Sequence, residues 1–156
     1  MGRHRPTRTR RRGGYAVTLP NDASRDQVRA ADPDVSVWVT ANAGSGKTKV
    51  LTDRVARLLL AGTPPARILC LTYTRAAAAE MQLRLFERLG EWAMLADGAL
   101  SQRLVEMGLE PGAIDAEARA RARRLFARAL ETPGGLKIQT IHSFCAALLR
   151  RFPRTR

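Results

Sequence analysis

The sequence is short of several residue types at once. Among its 156 residues are only two cysteines and three lysines, and aromatics make up 5%. Two thiols cannot build a disulfide framework or a cysteine-rich zinc site, and a reducing cytoplasm is the simplest compartment for such a chain. No run of 18 apolar residues occurs, so no transmembrane helix is expected. Nor is there an apolar stretch near Met1 of the kind a secretory signal requires. No internal repeat is present. Acid is missing from both ends: the first 14 residues hold six arginines and the last seven hold four, with no Asp or Glu in either. Those ends carry +10 of the formal net charge of +13, so the body of the protein is only mildly basic. Arginine outnumbers lysine 24 to 3 and alanine occurs 25 times, a bias that GC-rich codons explain without any functional demand.

What is present suffices for one domain, or part of a larger one. About 150 residues bury a core without staples, and the 45% hydrophobic fraction argues against wholesale disorder. Met1 to Gly14 is a low-complexity Arg-rich arm, expected to be disordered. Each arginine could neutralise a phosphate, yet a charge run fixes no partner, and a solvated tail or a start codon placed too far upstream serves equally. Asn21, Asp22 and Ser24 are competent N-caps, and Ser24 to Gln27 has capping-box spacing, so a first helix is expected to run until Asp32-Pro33. Val35 to Ala41 is β-branched and reads as a buried strand. The stretch Lys47 to Ala61 has Val50, Leu51, Val55, Leu58 and Leu59 on one helical stripe, stopped by Gly62 and Pro64-Pro65. Ile68 to Leu71 reads as a second strand. Thr74 can cap a helix over Arg75 to Leu89, with Gly90 behind it. Residues 91–135 read as a helical insertion with helices at Asp97–Gly108 and Asp115–Glu131, the latter with Leu125, Phe126, Ala129 and Leu130 inward. Its Arg119, Arg121, Arg123, Arg124 and Arg128 form either a basic face or a solvated one. Lys137 to Thr140 is a third strand and His142 to Phe152 a last helix. Strands alternating with helices predict an α/β fold with a parallel sheet. Cys70 and Cys145 are expected to be buried core thiols.

The segment Ala41-Asn42-Ala43-Gly44-Ser45-Gly46-Lys47-Thr48 has phosphate-loop spacing, with Ala41 where the strict pattern begins with glycine. Backbone N–H groups converging on phosphate oxygens need residues without bulk, and the helix that follows adds its positive end. Lys47 would reach the β- and γ-phosphates as a point charge, and Thr48 would offer its hydroxyl to Mg²⁺. Placement between a β-branched strand and an amphipathic helix is what the mechanism requires. Gln27, 20 residues before Lys47, carries an amide that could pair with adenine N6 and N7; capping its own helix through Ser24 is the alternative.

With these motifs in place the sequence resembles the UvrD/Rep-type superfamily 1 DNA helicases. Asp26-Gln27 looks like their glutamine motif and Ala41 to Thr48 like their motif I. Ile68 to Met81 (ILCLTYTRAAAAEM) resembles motif Ia, and Thr140 to Arg150 (TIHSFCAALLR) resembles the threonine–histidine–serine segment after it. The wording of Lys47 to Arg54 and of Pro133 to Cys145 is most similar to the AddA-type helicase–nuclease subunits of bacterial double-strand-break repair. The resemblance spans about Leu19 to Pro153. It implies part of a RecA-like P-loop NTPase domain over 15–153, with 154–156 as a tail. ATP and Mg²⁺ are the implied cofactors, DNA (a single-stranded track and double-strand ends) the implied substrate, and an AddB-like subunit the implied partner of the full-length relative, with no membrane involved. The implied setting is the bacterial cytoplasm, at the nucleoid. Gln27 would recognise adenine. Ala43, Gly44, Ser45, Gly46, Lys47 and Thr48 would hold the phosphates, and Lys49 would pack on the base where many relatives have a better-stacking arginine. Thr72, Tyr73, Thr74 and Arg75, with Thr140 and His142, would touch single-stranded DNA. Tyr73 stands where the family often has a base-contacting phenylalanine, and Arg75 departs from the usual asparagine or lysine. On the residues alone, Tyr73 also suits a strand-end core position and His142 a helix cap.

One group is missing. Phosphoryl transfer needs an acidic segment to hold Mg²⁺ and orient water, and no Asp-Glu pair follows a hydrophobic strand in this sequence. The family's Asp-Glu motif, arginine finger and second motor domain would lie beyond Arg156, as would any nuclease domain. The chain therefore reads as the N-terminal part of a larger enzyme, marginally folded and without ATP turnover of its own. Motif I alone also suits a small nucleotide kinase or a nucleotide-binding regulator indifferent to DNA. A basic nucleic-acid-binding module with an idle loop is a third possibility.

Overall fold

The computed structural model describes residues 22–40, 42 and 46–152. The Arg-rich arm over Met1–Gly14, the tail over 154–156, and Ala41, Ala43, Gly44 and Ser45 of the expected phosphate loop lie outside the described residues, as does the side chain of Ser24. Among the described residues there are six α-helices and two strands: α1 (Asp22–Ala30), α2 (Lys47–Leu60), β1 (Leu69–Thr72), α3 (Arg75–Met94), α4 (Asp97–Glu106), α5 (Ala116–Glu131), β2 (Lys137–Thr140) and α6 (Ile141–Leu149). Two 3₁₀ turns, Pro65–Arg67 and Pro111–Ala113, each begin at a proline, whose fixed φ suits a helical first position.

The strands pair in parallel, with Leu69 opposite Lys137 and Thr72 opposite Thr140. A parallel pair needs a long crossover, and here it holds α3, α4 and α5. Residues 91–135 thus form the larger part of the crossover, in an α/β arrangement dominated by helices. One hydrophobic core runs through α2, α3, α4 and α5 and reaches the strands at Cys70 and Ile138. Val55, Ala56 and Leu59 of α2 meet Met81, Leu85, Leu89 and Trp92 of α3, Leu100 and Leu104 of α4, and Ala122, Leu125 and Ala129 of α5. The Phe86 and Phe126 rings meet edge to face with centroids 6.2 Å apart, an arrangement their quadrupoles favour.

Among the described residues, side-chain caps start three helices. Thr74 Oγ1 accepts from Ala77 N at 3.1 Å, Asp115 Oδ1 from Ala118 N at 2.7 Å, and Thr140 Oγ1 from Ser143 N at 3.1 Å. Asp115→Ala is expected to destabilise the fold by about 1 kcal/mol, the usual worth of an N-cap, read as a lower urea midpoint with an unchanged slope. Asp97 staples the insertion. It accepts from Arg123 Nη2 at 2.6 Å and lies 3.5 Å from Arg119 Nε. The Arg123 hydrogen bond foremost holds the Asp97 carboxyl below its ordinary pKa.

Several expectations are corrected. Residues 36–40 join no ladder, so the sheet has two strands among the described residues rather than three. Val35, Val37 and Val39 are exposed and Trp38 is 92% exposed. β-Branched residues favour a strand, but a strand exists only where a neighbour supplies the hydrogen bonds; here Arg54 Nη2 donates to Val35 O at 2.7 Å instead. Helix α3 does not stop at Gly90. It runs on to Met94, because Leu89 and Trp92 are buried. Helix α4 stops two residues short of Gly108, and Leu130 is exposed. Cys70 is buried, and burial pushes its thiol pKa up, but Cys145 is exposed because α6 buries none of its residues.

Candidate functional site

The turn into α2 is where the sequence puts the phosphate loop. Gly46 is the N-cap residue and has φ +86°, a conformation that disfavours any residue with a Cβ. It brings no side-chain cap, and the first bond it receives is Val50 N to Gly46 O at 3.0 Å. The opening turn of α2 therefore presents backbone N–H groups and a positive helix end, the usual arrangement for an anion. Lys47 Nζ reaches back over the loop and donates to Asn42 O at 2.7 Å. Thr48 is exposed on the first turn, its carbonyl accepting from Thr52 Oγ1 at 2.9 Å. A cleft of about 470 Å³ lies beside Lys47, walled by Ala30, Val37, Val39, Val50 and Arg54. A larger one, about 630 Å³, sits at the far end of α2 against α5 and includes none of the site residues expected from the sequence.

Gln27 faces this turn. A Cβ built on Gly46 would stand 3.0 Å from Gln27 Nε2, so glycine at 46 also makes room for the amide. Lys49 is tied down rather than extended: its Nζ lies 2.8 Å from Asp53 Oδ2. Burial foremost, and then the Arg88 charge, lower the Lys49 pKa, with Glu106 opposing.

The two expected DNA segments come together at one end of the sheet. Because Thr72 and Thr140 are paired, the carboxyl ends of β1 and β2 lie side by side, the end at which open parallel sheets present their ligands. Tyr73 is 83% exposed, which rules out the core role. Thr72 Oγ1 donates to Thr74 O at 3.0 Å, and Arg75 opens α3, exposed. Thr140 caps α6, so the capping role is not His142's; His142 is exposed on the first turn. Among the described residues no group of three or more His, Cys, Asp or Glu could hold a metal ion, and no helix is long and apolar enough to cross a membrane.

Three charged features escape a reading of the sequence. Arg54 donates to Asp32 O and Arg57 Nη1 to Val28 O at 2.9 Å, which fastens the carboxyl end of α1 to α2. Asp53, with a side chain only 6% exposed, is ion-paired to Arg88 of α3 as well as to Lys49. The available signal was an aspartate inside an otherwise apolar helical stripe.

Residues 21–155 match the family described as the UvrD/REP helicase N-terminal domain. Similar full-length proteins include three that are each named as an ATP-dependent helicase/nuclease subunit. The one from Desulforudis audaxviator is 39% identical over 120 residues, covering 75% of this chain. That from Enterococcus faecalis is 34% identical over 121 residues (78% of the chain), and that from Lactobacillus gasseri 31% over 132 residues (85%). The chain spans 8% of the length of each of these relatives. No solved structure matches it.

Proposed function

Since the chain belongs to the UvrD/REP helicase N-terminal domain family, we propose that it is the ATP-binding and DNA-contacting part of a RecA-like motor, from an ATP-dependent DNA helicase of double-strand-break repair. The observation that carries the proposal is the meeting of Gln27 with the Gly46 turn, a glutamine amide beside a helix start that has no side-chain cap, which is what reading a base and holding a phosphate would require. The triphosphate binds at the opening of α2. Lys47 exchanges the Asn42 carbonyl for β- and γ-phosphate oxygens, and Gln27 pairs with the adenine edge. Ala43, Gly44 and Ser45, outside the described residues, enter through the sequence alone. Thr48 would hold Mg²⁺, which when bound neutralises charge between the phosphates. The fit rests on the exposed Thr48 hydroxyl position one residue beyond Lys47.

Single-stranded DNA crosses the carboxyl ends of β1 and β2. Exposed Tyr73 stacks on a base, Arg75 meets a phosphate, and Thr72, Thr74, Thr140 and His142 line the track. In the full-length relative the track would receive strands from double-strand ends, and its partner would be an AddB-type subunit. The chain contains no Asp-Glu pair, so it binds ATP without turning it over. The test is titration of the chain with a fluorescent ATP analogue and Mg²⁺, then with oligo-dT. One saturable nucleotide site, salt-sensitive DNA binding weakened by Tyr73→Ala, and no phosphate release are expected. Steady Lys47-dependent phosphate release, or DNA binding indifferent to Tyr73, would contradict it.

A further inference from the structure

Gln27 rides on α1, so what anchors α1 sets where its amide points. Helix α1 has nine residues, too few to be stable alone, so its position is set by what it leans on. Two things meet its carboxyl half. From α2, Arg57, with a side chain 14% exposed, donates through Nη1 to Val28 O at 2.9 Å, and its Nη2 lies 3.8 Å from Asp32 Oδ1. From the helical insertion comes the turn after α4, where Gly108 has φ +93° and its amide donates to Val105 O at 2.8 Å. A Cβ built on Gly108 would overlap the Val28 Cγ1 methyl and stand 3.3 Å from Arg57 Nη1. Valine is stiff at χ1, so relieving that overlap pushes α1 and the turn apart. Val28 adjoins Gln27, and any shift of one carries the other.

We infer that base selectivity at this site is set from outside it: Arg57 and Gly108 are positioning residues that clamp α1 and so aim Gln27 at the adenine edge. The inference rests on the proposed role of Gln27. It makes the helical insertion, and not only the loop, a determinant of which nucleotide binds. Chemistry gives the selectivity its sign. A glutamine amide offers one donor face and one acceptor, which matches adenine N7 and N6–H. Guanine presents O6 where the amino group should be, leaving the glutamine oxygen without a donor. The triphosphate is held by α2, which the clamp does not move.

The test is competition by ATP, GTP and inorganic tripolyphosphate, each with Mg²⁺, against a fluorescent ADP on the full chain. Wild type should prefer ATP to GTP by at least about fivefold, the lower end of what a bidentate amide–base match discriminates. Gly108→Ala and Arg57→Met should each bring the ratio towards one while tripolyphosphate binds as before. A structural defect would weaken all three competitors together. Adding Val28→Ala to Gly108→Ala removes the colliding methyl and should restore part of the preference, whereas Val28→Ala alone should retain it. If the wild type shows no ATP preference, the role of Gln27 fails, and this inference with it. If Gln27→Ala loses the preference but Arg57→Met keeps it, the clamp alone is wrong. Parallel loss of tripolyphosphate binding in Arg57→Met would also overturn it.

Discussion

Replacing Lys47 by alanine should weaken ATP binding about a hundredfold, since removing one partner from a desolvated charge contact costs 2–5 kcal/mol or more. The fold should be untouched, because Lys47 is exposed and donates to a loop carbonyl, Asn42 O. Thermal unfolding of the variant should match wild type, while its titration with fluorescent ATP and Mg²⁺ shifts out of range. Lys47→Arg should recover only part of the affinity, because a planar fork cannot take the place of a compact ammonium between two phosphates. Equal affinity in wild type and Lys47→Ala would mean that the loop is idle.

Asp53→Ala should have the largest effect on stability, a loss of about 3 kcal/mol, the lower end for breaking one side of a buried ion pair. Asp53 answers two cations. Deleting it leaves Arg88 largely buried between helices and Lys49 beside it with like charge. Burial foremost lowers the Arg88 pKa, with Glu91 opposing and Arg103 adding to the effect. Equilibrium urea unfolding by circular dichroism measures the loss. The double variant Asp53→Ala, Arg88→Met should be more stable than Asp53→Ala alone, since the uncompensated charge goes with it. If Asp53→Ala unfolds at the wild-type midpoint, the pair contributes nothing.

Local signals were legible where one residue decides the structure. Thr74 has a hydroxyl that can start a helix, and its cap forms, whereas the cap the sequence offered at His142 is made by Thr140 instead. The strand over Lys137 to Thr140 is legible residue for residue. What could not be read depends on neighbours. Val35 to Val39 has a strand's composition, yet no described strand lies beside it. Gly90 signals a helix end locally, but the helix continues because Trp92 has a pocket to fill. Leu51 belongs to the apolar stripe of α2 by spacing and is exposed, while Thr52 and Asp53 beside it are buried. Helical period places residues on a face without saying what the face meets.

The site divides in the same way. The loop, the glutamine and the strand-end threonines are proposed from residue type and order. That Gln27 faces Gly46, and that Thr72 pairs with Thr140, emerges only when distant segments are brought together. Arg54 and Arg57 look, in the sequence, like the solvated side of an amphipathic helix. They are instead the groups that satisfy the carboxyl end of α1, where orphan carbonyls attract cations.

The central claim is that ATP binds where α1 meets the opening of α2. Amide hydrogen exchange of the full chain, with and without ATP and Mg²⁺, tests it most directly. The account predicts slowed exchange in two separated stretches, the loop leading into α2 and helix α1, with no change along the α5 groove. Protection confined to α5, or none in either stretch at saturating nucleotide, would contradict it.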